Sequence, residues 1–287
     1  MSKNSFKNPV STTVTRNLLI AVWIIIAAII IAGTVFVVGT VQQYSENETV
    51  PMTGISDQKA NATVLFVFKD DSYESEDLHF MLARFNTGTG NNTVVSVPAS
   101  FTSEAYNHSG SLSKQYEYGG AVQVKAAIEN LFSITVDKYI ECPFTSLETA
   151  IDKLGGVEFD IPQNMMYKNS SGVIVTNLIK GKQTLNGKQF LQYIRYGDFG
   201  DVYKTAQKRT ELALALIESV SGNEAYDKIV GMFNSVIDNC SSDITVIDIS
   251  QFAEDYTQVN PTVTAITLSG TQTAPDAASI ESVSNNF

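Results

Sequence analysis

Residues 18–38 read L-L-I-A-V-W-I-I-I-A-A-I-I-I-A-G-T-V-F-V-V, a run without a single charge. In a helix rising about 1.5 Å per residue it spans roughly 30 Å, one bilayer core. The run is long for the apolar part of a signal peptide, and no small-residue cleavage site follows it, so it reads as an uncleaved anchor. Lys3, Lys7 and Arg16 precede it, and no basic residue returns until Lys59. The excess of basic residues on the cytoplasmic side then sets the topology. Residues 1–17 are expected in the cytoplasm and 18–41 in the membrane as a single pass. Everything beyond is expected outside the cell membrane, as an extracytoplasmic domain.

That topology changes the meaning of the charge. All 30 acidic residues follow the apolar run, against 16 of the 19 basic ones, so the outer part carries a net charge of −14. An acidic domain repels the phosphate backbone, which argues against nucleic acid as a partner. The two cysteines, Cys142 and Cys240, are too few for a disulfide scaffold and lack zinc-site spacing; they pair once or stay free. Residues 42–61 are polar and read as a stalk. Residues 271–287 are rich in Ser, Thr, Ala and Asn and read as a disordered tail. Between them lies one domain, residues 62–270.

Within that domain strand and helix signals alternate. Residues 64–68 (V-L-F-V-F) form a continuous apolar run, as in a strand buried on both faces. Residues 79–85 and 93–97 are further strands, separated by the turn-rich N-T-G-T-G-N-N. After Gly119 and Gly120, Val124, Ile128, Leu131 and Phe132 recur at helical spacing. Thr145 and Glu148 are spaced as a capping box, and Gly155 and Gly156 stop the helix that would follow. Residues 157–161 return as a strand that Pro162 ends. Asn186 is placed to cap a helix carrying Phe190 and Ile194. Two more helices carry Leu212, Leu216 and Val220, then Tyr226, Phe233 and Ile237, while residues 245–249 and 263–268 read as late strands. The alternation predicts an α/β/α sandwich on a central mixed sheet, preceded by one transmembrane helix.

One stretch, Q-Y-I-R-Y-G-D-F-G-D-V-Y-K-T-A-Q-K-R at residues 192–209, gathers cations in a chain that owns four arginines. Arg195, Lys204, Lys208 and Arg209 surround Asp198 and Asp201. Two readings stay open. The cluster is a phosphate site, since the guanidinium fork meets two phosphate oxygens at once. Alternatively, it is a helix start favoured by aspartates, with basic residues on the solvent face.

Four stretches together resemble the LytR-CpsA-Psr family of bacterial envelope proteins. K-Q-Y-E-Y-G-G (114–120) resembles its A-Y-A-Y-G-G, and V-D-K-Y-I-E-C-P-F (136–144) its D-H-Y-V-x-V-D-F. D-K-L-G-G-V-E-F-D-I-P (152–162) resembles D-x-L-G-G-V-x-V-D-V-P, and G-K-Q-T-L-N-G-K-Q-F-L-Q-Y-I-R-Y (181–196) resembles G-x-x-x-L-N-G-x-Q-A-L-x-Y-V-R-x-R. The resemblance implies a phosphotransferase that moves a glycopolymer from a polyprenyl diphosphate carrier to peptidoglycan or another wall acceptor. It implies Mg²⁺ on carboxylate oxygens, a greasy pocket for the polyprenyl chain and cationic side chains for the phosphates.

Carried over position by position, the resemblance implies Arg195, Asp201 and Lys204 as catalytic residues. Lys208, Arg209 and Tyr118 are implied at the substrate, and Asp70 and Asp77 at the metal, with Asp71 beside them. Two family arginines are replaced, by Ala99 (with Ser100 after it) and by Gly197. Turnover with an altered cation set and binding without turnover therefore both stand as readings. A third class is a non-catalytic surface glycoprotein, for which six N-x-S/T sequons, at Asn47, Asn61, Asn91, Asn107, Asn169 and Asn239, would be acceptors.

Overall fold

The computed structural model describes residues 61–71, 77–168, 172–220, 224–259 and 261–287. The expected cytoplasmic segment, the anchor and the stalk up to residue 60 lie outside the described residues. Among the described residues, no helix is long and apolar enough to cross a membrane.

Strands β1 (Asn61–Lys69), β2 (Leu78–Asn86) and β3 (Asn91–Val97) pair antiparallel in sequence order. A hairpin of β4 (Thr102–Ala105) and β5 (His108–Ser111) leads into α1 (Leu112–Phe132), which Gly119 and Gly120 interrupt. Gly120 sits at φ +62°, in the left-handed region that favours glycine. Next come β6 (Lys138–Pro143), α2 (Phe144–Leu154), β7 (Val157–Ile161), β8 (Met165–Lys168), β9 (Ile174–Leu178) and β10 (Gly181–Leu185). Helices α3 (Gly187–Arg195), α4 (Val202–Ser219) and α5 (Ala225–Val236) follow. The remainder holds β11 (Ser241–Ser242), α6 (Val246–Tyr256), β12 (Thr262–Ala265), β13 (Gly270–Thr271), β14 (Ala274–Pro275) and α7 (Ala277–Asn286).

The main sheet has the order β11-β6-β1-β2-β3-β12. It is mixed, because β6 joins β1 in parallel and β12 joins β3 in parallel. Alternation along the strands splits the core into two faces. Leu65, Val67, Phe80, Leu82, Val95 and Val97 pack against Val124, Ile128 and Phe132 of α1 and Val283 of α7. On the other face, Val64, Ile140 and Cys142 meet Phe233 of α5, while Ala83 and Val94 meet Ala213 and Ile217 of α4. A further cluster joins α2, β7, β10 and α3 through Ile151, Val157, Leu185 and Leu191. Cys142 and Cys240 form a disulfide, closing a span of 98 residues.

Four expectations are corrected. Residues 245–249 begin a helix instead of a strand. Thr245 accepts from the amide of Asp248, whose carboxylate accepts from the amide of Thr245, and this reciprocal cap outweighs the β-branched composition. Thr145 caps nothing, since α2 already starts at Phe144; its hydroxyl donates to Asp71 at 2.6 Å. Of residues 263–268, only the first few are in a strand. Residues 271–287 are ordered: Asp276 caps α7 through the amide of Ser279, and Val283 is fully buried against the sheet. Polar composition hid that helix because its apolar side is only Ile280 and Val283 wide.

Candidate functional site

Helix α3 presents its last residue, Arg195, where β1 ends. Asn186 starts the helix with a complete capping box, accepting from the amide of Gln189, whose side chain accepts from the amide of Asn186. Gly187 permits a close approach to α2, because a Cβ there would come within 2.3 Å of the Glu148 carbonyl oxygen. Phe190, Leu191, Tyr193 and Ile194 are buried, which fixes the roll of the helix and thus the direction of Arg195.

Arg195 meets Asp70, the residue after β1, with both ends of its fork: Nε donates to Oδ2 at 2.6 Å and Nη2 to Oδ1 at 2.9 Å. The pair is buried, with side chains 12% and 3% exposed. The guanidinium also lies 4.9 Å from the ring centre of Phe144, the first residue of α2. His79 stacks on that same ring at 5.0 Å and 19°. Both nitrogens of His79 are buried without a hydrogen-bond partner. Burial, and then the charges of Arg209 and Arg195, hold its pKa well below the usual histidine value.

Arg209, one side of α4, donates Nε to the carbonyl of Ile194 at 2.9 Å, tying α4 to the end of α3. Burial pulls its pKa down to about 10, opposed by the charge of Asp77. Arg209 lines a cleft of about 410 Å³ with Ser96, Pro98, Ala99, Gly197 and Asp201. The two positions where the family resemblance expects arginine, Ala99 and Gly197, are therefore both on this cleft, and a side chain at Gly197 would meet nothing within 4 Å. The C-terminal hairpin is tied to elements that bear the cleft: Ser100 donates to the Gln272 carbonyl at 2.7 Å, and Tyr203 of α4 to that of Ala274 at 2.8 Å.

The other expected residues are distributed around this centre. Asp201 caps α4, accepting from the amide of Lys204 at 2.8 Å, and that bond, with the Lys204 charge, lowers its pKa. Lys204 is exposed and 3.6 Å from Asp201. Lys208 is engaged by Glu211 at 2.7 Å on its own helix. Tyr118 does not join the group: its exposed ring stacks on His108 at 4.2 Å, with Lys114 over it. Tyr116 instead donates to Glu141 of β6.

The expected divalent-cation site does not fit these residues. The Asp70 amide donates to the Asp77 carbonyl at 3.0 Å, so the two aspartates oppose each other across the strand ends. Yet Arg195 occupies both oxygens of Asp70, and the charge of Asp77 is felt by Arg209. Among the described residues, no three His, Cys, Asp or Glu side chains gather as metal ligands. Guanidinium groups balance the carboxylates: Arg195 that of Asp70, and Arg209 that of Asp77.

Sequence reading missed His79 and Phe144. The available signal was the strand period: residues 77, 79 and 81 share one face, which puts His79 beside Asp77 and opposite Phe68.

A family model described as the LytR_cpsA_psr family matches residues 33–286. A transferase of Enterococcus faecalis named polyisoprenyl-teichoic acid–peptidoglycan teichoic acid transferase TagU is 23% identical over 67% of this chain and 60% of its own length. An uncharacterised Staphylococcus aureus protein is 23% identical over 65% of this chain and 46% of its own, so the chain spans only part of these relatives. The crystal structure of Bacillus subtilis TagV superposes with a TM-score of 0.62 at 20% identity, covering 79% of this chain and 95% of that one. A structure of TagT bound to LI-WTA gives 0.63 at 19%, covering 82% and 91%. With most of its length matched and its mixed sheet shared with these structures, the chain belongs to the LytR_cpsA_psr family.

Proposed function

We propose that this chain is a membrane-anchored phosphotransferase that acts outside the cytoplasm on lipid-linked wall glycopolymers. An acceptor hydroxyl on peptidoglycan attacks the glycan-side phosphorus of a polyprenyl diphosphate. The bond to the bridging oxygen breaks, polyprenyl phosphate leaves, and the hydroxyl proton is lost. The observation that carries this reading is the cleft lined by Arg209 together with Ala99, Gly197 and Asp201, with Arg209 bonded to the carbonyl of Ile194, the residue before Arg195 at the end of α3. A guanidinium group in a partly dry site suits the charge that builds on a transferring phosphoryl group. The named activity of the E. faecalis relative is of the same class. The Cys142–Cys240 disulfide supports an oxidising location and hence the orientation read from residues 1–41.

A second reading, binding of the polyprenyl-linked polymer without turnover, is favoured by one feature: Asp70 already neutralises Arg195, while Ala99 and Gly197 leave the cleft short of cations. One assay separates the two. Purified full-length protein is given a lipid-linked donor and an acceptor glycan, and polyprenyl phosphate is measured. Turnover that Arg209→Ala lowers by roughly two to three decades supports transfer. Donor binding with no release supports the second reading. Ala99→Arg is expected to raise donor affinity in either case, and an unchanged affinity would remove the cleft as the phosphate site.

A further inference from the structure

Residues 161–197 contain no aspartate or glutamate, in a chain that has 30 of them, yet include Lys168, Lys180, Lys182, Lys188 and Arg195. The same stretch shows large apolar side chains to solvent. Met166 is 66% exposed, Tyr167 54%, Val173 56%, Ile174 51% and Ile179 70%. These five belong to or flank one hairpin, β8–β9, in which Met165, Val175, Thr176 and Leu178 are buried and Lys168 and Asn177 are exposed. By the strand register Met166, Lys168, Ile174 and Asn177 share the outer face, while Tyr167 stands on the face of Met165 and Leu178; exposed Lys180 follows β9. Lys182 stands opposite Asp160 across β10 and β7.

We infer that the β8–β9 hairpin docks on an anionic lipid surface. Exposed aliphatic and aromatic groups gain by entering the headgroup boundary, and lysines beside them are drawn to anionic headgroups. A dissolved polyanion would use the lysines but leave Met166, Ile174 and Ile179 in water, so the apolar set selects the bilayer. The rest of the outer domain is acidic and repelled by such a surface, which makes this acid-free stretch the part suited to approach it. The inference rests on the anchor reading only in that residues 18–41 keep the domain near a bilayer.

The test uses the full chain. Trp23 is the sole tryptophan, so Trp23→Phe combined with Met166→Trp, or with Ile179→Trp, puts one reporter on the hairpin. Each protein is reconstituted in phosphatidylglycerol vesicles with bromine near the headgroup end of the acyl chains. The expected result is blue-shifted, quenched emission at both positions, and unquenched emission from a reporter at exposed Tyr106 (Tyr106→Trp). Lys168→Gln with Lys180→Gln, or phosphatidylcholine vesicles, should lose the quench. Unquenched hairpin reporters, equal quenching at residue 106, or indifference to the lysines would overturn the inference. So would an emission shift on soluble poly(glycerol phosphate) without quenching by vesicles, which would assign the face to a polymer. Flotation after an alkaline wash reports the anchor separately, so its failure is not confused with failure at the hairpin.

Discussion

Asp70 and Arg195 lie 125 residues apart in the chain and are joined by two hydrogen bonds in a buried place. Removing either partner strands a charge, at a cost of about 3–5 kcal/mol. Asp70→Asn and Arg195→Met are each expected to lower unfolding free energy by that order in urea, and the double variant to recover part of the loss. Simple additivity would show that the two groups do not support one another. His79 gives a pH signature. Its folded pKa lies below the unfolded one, so the unfolded chain binds the proton more readily and stability falls as the pH drops below about 6.5. The loss is at most about 1.4 kcal/mol per pH unit from this group. His79→Phe, which keeps a ring on Phe144, should flatten that part of the wild-type profile between pH 7.5 and 5. Arg195 was legible because arginine is scarce here. Its partner was not, since only the packing of α3 beside the end of β1 brings residue 70 to it.

Helix α3 is the element that sets the site. Its capping box satisfies two amides at once, and an Asn186→Ala change is expected to cost about 1 kcal/mol by thermal or urea unfolding. Gly187→Ala should cost about 1–3 kcal/mol, because the added methyl meets the backbone of α2. If Gly187→Ala were as stable as the parent, the close contact between α2 and α3 would be wrong. Legibility differed from element to element for physical reasons. Caps at Asn186 and stops at Gly155 are local, and both were readable. The helix at residues 246–256 was not, because Val, Ile and Ile at its start obey strand preferences while the deciding bonds lie in the Thr245–Asp248 cap. The β8–β9 hairpin escaped notice because its strands are only four and five residues long.

At the level of the molecule, the disulfide ties β6 to Cys240, the residue before β11, over a span of 98 residues. On the chain-entropy view, a loop of this length contributes about 4 to 5 kcal/mol by restricting the unfolded chain. Reduction under native conditions should lower the midpoint of urea unfolding accordingly, and an unchanged midpoint would show that the cross-link adds nothing to the fold. The strand–helix alternation announced the layered architecture. The order of strands was out of reach, because nothing in residues 262–265 marks them as the neighbour of residues 91–94. That pairing has a kinetic consequence. Without β12, β3 would offer an open edge flanked by wholly buried valines. Chains caught with that edge open can pair with one another in competition with closure, so the yield of refolding should fall as protein concentration rises, even though β12 covers β3 in the finished sheet.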